Sequence, residues 1–263
     1  MNKNLIILII CTIIVILILL CNNIYSSLNN VNYYIYDTKI DGPKILMLGG
    51  THGNEPAGYH ALNKLKDDLD KEIIKIKKGK LIIIPAVNYY ALKLGIRFLP
   101  ILGDLNRKYP HDLNNNISDS NIINQIIKLT QEVDFILDFH EGWGYNRLNK
   151  KSMGSTITPT HTDKSHELSK IMLDNVNKTI ENPDKKFIIL ADQEIIKNKL
   201  NYSNYDYSNS IDIKGSLRYY QKISNKDYIL IETTGQHNVQ LLNIRMEQSR
   251  IFIDKTLEYY QLL

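Results

Sequence analysis

A short apolar run followed by a glycine-rich segment constrains the fold of this chain most. The run Lys44–Leu48 is typical of a buried strand, and the segment Gly49–Gly58, which reads GGTHGNEPAG, follows it directly. Pro56 suits the first turn of a helix, because that position needs no amide donor. His52 and Glu55 are therefore predicted on a tight loop at the carboxyl end of a strand. In open α/β sheets, ligands bind at this edge.

His52 and Glu55 have a spacing that suits metal ligands. An imidazole and a carboxylate three residues apart can reach the same ion, and zinc accepts nitrogen and oxygen donors together. The pair alone is a weak signal, because a chain with seven histidines produces such a spacing easily by chance. Both cysteines, Cys11 and Cys21, lie in or beside the N-terminal apolar segment. Any metal site in the rest of the chain must therefore use His, Asp or Glu.

The N-terminal residues predict a membrane segment. Residues 5–20 are apolar except for Thr12 and would span roughly 24 Å as a helix. Lys3 is the charged side chain that precedes them, which favours an internal N-terminus and an external domain. We expect a signal-anchor or transmembrane segment in residues 1–24, a linker in 25–32 and one folded domain in 33–263. This domain would be extracytoplasmic and membrane-anchored, or secreted if the segment is cleaved.

Apolar strands alternate with amphipathic helices along the remaining chain, which predicts an α/β fold with a mostly parallel central sheet. The predicted strands are 33–36, 44–48, 80–85, 133–139, 187–190 and 228–231. The predicted helices are 56–69, 88–94, 118–132, 162–180, 215–224 and 239–260. In the third, we expect Ile122, Ile126 and Leu129 to be buried, and in the last, Leu242, Met246, Ile253 and Leu257. Residues 201–210, rich in Tyr and Asn, are predicted to form a loop.

Two further strands are followed by residues suited to the same site. His140 comes directly after the strand 133–139, and Glu232 directly after 228–231. If these strands and 44–48 are neighbours in one sheet, their carboxyl ends bring the four side chains together. Two histidines and one carboxylate leave a fourth zinc position open for water. Glu232 is then the candidate base that accepts the proton of this water as it attacks a carbonyl.

Four motifs, in this order along the chain, resemble the zinc carboxypeptidase superfamily. They are Gly49–Glu55 (GGTHGNE), Asp104–Arg107 (DLNR), Asp138–His140 (DFH) and Ile231–Thr233 (IET). The resemblance covers residues 44–235 and is nearest to the branch of aspartoacylase and succinylglutamate desuccinylase. It implies a mixed sheet flanked by helices in a single domain. It also implies one Zn²⁺ per chain, with His52, Glu55 and His140 as ligands and Glu232 as general base and acid.

The resemblance also implies substrate-binding residues. Arg97 matches the arginine that polarises the scissile carbonyl, and Asn106 with Arg107 matches the pair that holds a substrate carboxylate. An arginine fork suits bidentate recognition of a carboxylate. The implied activity is zinc-dependent hydrolysis of an amide bond adjacent to a free carboxylate, in an N-acyl amino acid deacylase or a carboxypeptidase-like enzyme. Its substrate would be a small acyl amino acid or a peptide.

Each of these residues also has a structural interpretation. His140 alone is equally consistent with a core histidine, and Glu232 is also consistent with a partner in an ion pair. Arg107 can pair with Asp104 or Asp112, and Arg97 can be a surface charge. A membrane-tethered, non-catalytic binding module that contains zinc is the alternative to an enzyme. The net charge of +4 is modest and the lysines are scattered, so we expect no nucleic-acid partner.

Overall fold

The computed structural model describes residues 10–17, 19, 28–114, 117–191, 205–207 and 212–263, and the chain divides into two units, Met1–Asn30 and Val31–Leu263. In the first unit, residues 10–17 and 19 are helical, with exposed side chains. Within the ranges given above, no helix has the length and apolar character needed to cross a membrane. The predicted segment 1–24 and the linker 25–32 lie largely outside the described residues, so they stay predictions.

The second unit contains one mixed sheet, whose described strands number eight. They are β1 (Tyr34–Asp37), β2 (Lys44–Leu48), β3 (Lys80–Ile84), β4 (Phe135–Gly142), β5 (Thr156–Pro159), β6 (Ile188–Ala191), β7 (Tyr205–Tyr207) and β8 (Asp227–Thr234). Their spatial order is β1-β3-β2-β4-β8-β5-β6-β7. Only the β1–β3 and β5–β8 pairs among them are antiparallel. The predicted α/β fold with a mixed, mostly parallel sheet is confirmed.

Six helices in the described part of this unit accompany the sheet. They are α1 (Pro56–Asp70), α2 (Tyr89–Leu94), α3 (Asn121–Gln131), α4 (Asp163–Lys178), α5 (Leu217–Ile223) and α6 (Leu242–Tyr259). Four of them begin at a polar residue whose side chain accepts a backbone N–H of the first turn, as helix N-caps do. These caps are Asn88, Ser120, Thr162 and Ser216. Local sequence therefore sets where these helices start.

The main hydrophobic core lies between the sheet and the helices α1, α4 and α6. Helix α6 packs against both α1 and α4, and all three contribute fully buried apolar side chains to one cluster with β2, β4 and β8. On α3, the predicted stripe of Ile122, Ile126 and Leu129 is buried, as expected. Burial of this apolar surface holds the central strands, and hence their carboxyl ends, in fixed positions.

The buried face of α6 differs from the prediction in its first half. Ile253 and Leu257 are buried as expected, whereas Leu242 and Met246 are only half-buried. Arg245 and its neighbours Gln248 and Ser249 take the buried positions instead. The reason is electrostatic, because the Arg245 guanidinium pairs with a buried carboxylate at the end of β4.

Two short strands were missed by the sequence analysis. Thr156–Pro159 pairs with β8, and Tyr205–Tyr207 pairs with β6 at the edge of the sheet. The prediction of a loop over 201–210 is therefore wrong at 205–207, and the other positions of that range lie outside the described residues. Both strands are too short to show a hydrophobic period, and their backbone pairing with an existing strand stabilises them.

Candidate metal centre and active site

Three adjacent parallel strands bring the predicted site residues to one edge of the sheet. Strand β4 lies between β2 and β8, and Leu48 at the end of β2 is the register partner of Asp138. On the other side of β4, His140 is the register partner of Glu232. Since the strands are parallel, their carboxyl ends meet at one edge, and the loop that carries His52 and Glu55 follows β2 there. The predicted convergence of three strand ends is confirmed.

His52, Glu55 and His140 form a compact buried triad. The carboxylate of Glu55 lies between the two imidazoles, with Oε1 at 2.8 Å from His52 Nδ1 and Oε2 at 2.8 Å from His140 Nδ1. The two Nδ1 atoms are 3.2 Å apart. Each of the three side chains is about 3% exposed. One donor atom from each residue therefore faces the same small volume.

These distances fit a zinc ion. Donors at 2.0–2.1 Å from a tetrahedral zinc lie about 3.3 Å from one another. The two Nδ1 atoms are 3.2 Å apart and each lies 2.8 Å from one of the two Glu55 oxygens, while one donor atom from each residue can be chosen so that all three lie within 4.8 Å of one another. Two imidazole nitrogens and a carboxylate are also a donor set that zinc accepts at catalytic sites. The residues therefore fit the metal that the sequence resemblance implies.

A carboxylate faces the far nitrogen of each histidine. Asp104 Oδ1 is 3.1 Å from His52 Nε2, and Asp138 Oδ2 is 3.5 Å from His140 Nε2. Asp138 Oδ2 also accepts a hydrogen bond of 2.8 Å from the hydroxyl of Tyr228. Carboxylates in this position fix the orientation of a ligating imidazole and raise its basicity. Their place in the site was not predicted, although both are part of the quoted motifs.

The charges of the triad shift its ionisation. Burial opposes ionisation of Glu55, but His52 and His140 outweigh it and hold the pKa of Glu55 well below its ordinary value. Burial also lowers the pKa of His140, yet Asp138 and Glu55 raise it well above the ordinary value. The site therefore favours the carboxylate form of Glu55, the form in which it can bind a cation.

Glu232 lies in the same cavity as the triad and is half-buried. Burial raises the pKa of Glu232 to about 8, with Glu55 and Asp138 adding to the rise and His140 and Arg97 opposing it. A carboxyl group that ionises near neutral pH can both accept and return a proton. This behaviour fits a general base and acid better than it fits a partner in a simple ion pair.

Arg97 also lies at the site. Its Nη2 donates to Asp104 Oδ2 at 3.0 Å, and its Nη1 lies 3.5 Å from Glu55 Oε1. The Gly53 amide donates to the Arg97 carbonyl at 3.1 Å, which joins the loop of Arg97 to the loop of the triad. Because Arg97 pairs with Asp104 and faces Glu55, it is not an isolated surface charge.

Asn106 and Arg107 occupy a 3₁₀ turn, Leu105–Arg107, beside the start of α5. The Asn106 side-chain oxygen accepts the amide of Leu217 at 3.0 Å, which leaves its NH₂ group as the donor available to a ligand. Arg107 Nη1 donates to the backbone carbonyl of Asn106 at 2.6 Å, which holds the Arg107 side chain against the turn, and both side chains line the same cavity. Their donors suit a carboxylate.

All seven residues predicted for the site line one cavity of about 220 Å³. Other side chains in its wall were not predicted as site residues, and they include Lys151, Met153 and Gln236. Gln236 donates to Glu55 Oε1 at 2.9 Å and thus holds a triad carboxylate. Its position four residues after Glu232 was the only sequence signal that could have pointed to it.

Comparisons with known proteins agree with this geometry. Residues 41–170 match the model of the succinylglutamate desuccinylase/aspartoacylase catalytic domain. This range contains all the predicted site residues except Glu232. N-alpha-acetyl-L-2,4-diaminobutyric acid deacetylase of Halomonas elongata is 35% identical over 103 residues, which are 39% of this chain and 29% of that protein.

Solved structures resemble the fold. One is Csd4 of Helicobacter pylori, a D,L-carboxypeptidase in its mDAP-bound form, with a TM-score of 0.62 and 19% identity over 84% of this chain and 52% of that chain. Another is an aspartoacylase family protein of Mesorhizobium loti, with a TM-score of 0.60 and 20% identity over 89% of this chain and 62% of that chain. The chain thus covers less than two thirds of the length of each of these relatives.

The order of the four motifs, the strand order and the His-Glu-His triad agree with these matches. Residues 41–170, just under half of the chain, are therefore similar to the succinylglutamate desuccinylase/aspartoacylase catalytic domain, and the fold resembles those of the solved structures named above.

Proposed function

We propose that this chain is a zinc-dependent hydrolase that cleaves an amide bond next to a free carboxylate. One observation carries the proposal: Glu232, a carboxyl group that ionises near neutral pH, is the register partner of His140 and shares its cavity. A protein that only binds zinc has no need of a second carboxyl group with this ionisation beside the metal ligands.

His52, Glu55 and His140 would hold one zinc ion per chain. When bound there, zinc supplies Lewis acidity, which polarises a carbonyl oxygen and makes water more acidic. Asp104 and Asp138 orient the two imidazoles from behind. The triad therefore needs little rearrangement to bind the ion, which favours a fixed geometry during turnover.

Glu232 moves the proton in the proposed reaction. Its carboxylate takes a proton from the water that attacks the amide carbon, so a C–O bond forms at that carbon. The same carboxyl group then gives the proton to the amide nitrogen as the C–N bond breaks. Glu232 thereby returns to its ionised form. The second water proton leaves the new carboxylic acid for the amine, so the products are a carboxylate and an ammonium group.

Arg97, Asn106 and Arg107 orient the substrate. The Arg97 guanidinium, 3.5 Å from Glu55 at the cavity wall, faces the position of the carbonyl oxygen, where negative charge develops. Asn106 and Arg107 hold the free carboxylate through the Asn106 NH₂ group and the Arg107 fork. The separation between Arg97, which faces the carbonyl oxygen, and the pair Asn106 and Arg107, which holds the carboxylate, favours substrates whose carboxylate is close to the scissile amide.

Two classes of substrate are consistent with this arrangement. The Halomonas elongata relative is named a deacetylase of an N-acetylated amino acid, which supports small acyl amino acids. The Helicobacter pylori relative is named a D,L-carboxypeptidase, which supports peptides with a free C-terminus. Both classes place a carboxylate near an amide, so the proposal names this shared chemistry.

A substrate panel with two variants tests the proposal. The full chain, loaded with zinc, is assayed on N-acyl amino acids and short peptides, each beside its carboxamide counterpart. We expect hydrolysis of the free acids and a loss of at least ~10-fold in kcat/KM for the carboxamides. Glu232→Gln should keep zinc and lose about 10²–10⁴-fold in kcat. His140→Ala should lose zinc and activity together.

Zinc binding without turnover on any member of the panel would favour the alternative, a zinc-containing binding module without activity.

Placement of the domain outside the cytoplasm is a separate proposal, supported by the sequence of residues 1–24. Protease protection in intact cells tests it, because an extracytoplasmic domain is digested by protease added outside the cells and an internal one is protected.

A further inference from the structure

A buried ion pair that the proposed reaction does not use lies directly behind the triad. Arg245 on α6 is 4% exposed and Glu141 at the end of β4 is 1% exposed. Arg245 Nη1 donates to Glu141 Oε2, and Arg245 Nε donates to the carbonyl of Gln240 at 3.0 Å. Removing two charges from water is costly, so the pair calls for an explanation beyond stability.

The other oxygen of Glu141 caps the helix that follows the triad loop. Glu55 immediately precedes α1 and occupies its N-cap position, but in the described structure its carboxylate faces the histidines and does not cap the helix. Pro56 has no amide hydrogen, and the Ala57 amide donates to Glu141 Oε1 at 2.6 Å. A carboxylate stabilises a helix N-terminus. Glu141 thus supplies the cap that Glu55 cannot provide while it serves the triad.

The backbone of Glu141 contacts the triad directly. Its N–H donates to Glu55 Oε2 at 3.2 Å, and its carbonyl accepts the Gln236 side chain at 2.5 Å. Gln236 also donates to Glu55 Oε1. One oxygen of the Glu55 carboxylate is therefore held by the Glu141 amide, and the other by the Gln236 side chain, which is itself hydrogen-bonded to the Glu141 carbonyl. Glu141 therefore joins the loop of Glu55, the strand of His140 and helix α6.

The loop after Glu232 covers this pair closely. A Cβ atom at Gly235 would overlap both Glu141 Oε2 and Arg245 Nη1, so only glycine lets the backbone pass there. The Gly235 amide donates to the carbonyl of Gly142 at 3.1 Å, which fixes the loop to the end of β4. The loop after β8 therefore packs directly against the ion pair.

We propose that Glu141 and Arg245 are positioning residues, which set the spacing between Glu55 and His140 by fastening the start of α1 to the end of β4. The inference rests on the proposed zinc site, and it assigns the pair no contact with substrate. Without the pair, α1 and β4 can separate, and the triad donors no longer face one small volume. Its loss should therefore weaken zinc binding before it affects any chemical step.

Zinc affinity of the full chain, measured by competition with a chromophoric chelator, tests the proposal. The variants are Arg245→Met, Glu141→Gln and the double variant of both. The double variant keeps the shape of the pair but leaves no unpaired buried charge, so it guards against simple unfolding. Arg250→Met is the matched control, because Arg250 lies on the same helix and pairs with Asp68 and Asp254.

We expect zinc affinity about 10–100-fold weaker in Arg245→Met and in the double variant, and unchanged in Arg250→Met. The visible absorption of the Co²⁺-substituted protein should change in the same variants, since it reports ligand geometry. Arg245→Lys should recover part of the affinity. Wild-type affinity and an unchanged Co²⁺ spectrum in a folded double variant would overturn the proposal. A wild-type chain that binds zinc but hydrolyses nothing would refute the proposed function alone, and one that binds no zinc would refute both.

Discussion

Gly53 lies between His52 and Asn54 in the triad loop, and its lack of a side chain is required by a close backbone contact. A Cβ at this position would overlap the backbone of Ala91 and Leu92 in α2. The Gly53→Ala change therefore forces the two segments apart by about 1 Å, because a close-packed interior leaves no other space. Either His52 or Arg97 must move, since the Gly53 amide is hydrogen-bonded to the Arg97 carbonyl.

The expected effect follows from this displacement. Misplacement of a catalytic group by about 1 Å costs on the order of 100-fold in rate, which corresponds to about 2.7 kcal/mol. Movement of His52 would appear as a weaker zinc affinity, and movement of Arg97 as a lower kcat/KM at saturating zinc. We expect one of the two quantities, or their product, to fall by ~100-fold.

Chelator competition and steady-state kinetics measure the two quantities separately. Gly144→Ala is the control, because its added Cβ would lie 3.8 Å from Ser152, an ordinary contact. We expect Gly144→Ala to match the wild type in both assays. If Gly53→Ala retains both zinc affinity and kcat/KM within twofold, the close approach of the two loops has no role in the site and this reasoning is refuted.

Three further predictions concern the triad and the stability of the fold. Asp138→Asn should weaken zinc affinity about 10–100-fold, because the amide orients His140 less firmly than the carboxylate does; equal affinity in chelator competition would contradict this. Removal of zinc by a chelator should lower Tm, and added zinc should restore it, because the ion binds only the folded triad; a Tm independent of zinc concentration would oppose it. Burial raises the pKa of Asp68, but Lys64 and Arg250 outweigh it and hold that pKa below its ordinary value. The ionised Asp68 carboxylate therefore stabilises the fold fully above about pH 4, and this stabilisation is lost as pH falls through the lowered pKa. Asp68→Asn should lower the free energy of unfolding by about 1–2 kcal/mol at pH 7 and by little in strong acid, and urea unfolding at both pH values measures the difference.

The site was largely predictable because its residues follow apolar strands with clear ends. The run Lys44–Leu48 ends at two glycines, so the position of His52 and Glu55 at a strand end follows from local sequence. That β2, β4 and β8 are neighbours in the sheet does not follow from local sequence, because the order of strands depends on long-range pairing. Only the resemblance to a known family made the convergence of these three strands a definite expectation.

The features that escaped the sequence analysis depend on tertiary contacts. Strands β5 and β7 have four and three residues, too few for a periodic pattern, and each is defined by the strand beside it. The burial of Arg245 was also not predicted, because a charged helix residue is normally exposed. Its partner Glu141 precedes it by 104 residues, so no local pattern predicts their burial.

The central claim is that His52, Glu55 and His140 hold one zinc ion beside Glu232. Diffraction from zinc-loaded crystals at the zinc absorption edge tests it most directly. We expect one anomalous peak per chain, within about 2.0–2.3 Å of His52 Nδ1, His140 Nδ1 and a Glu55 oxygen. A zinc peak bound by other residues, or none at the triad in fully loaded crystals, would contradict it.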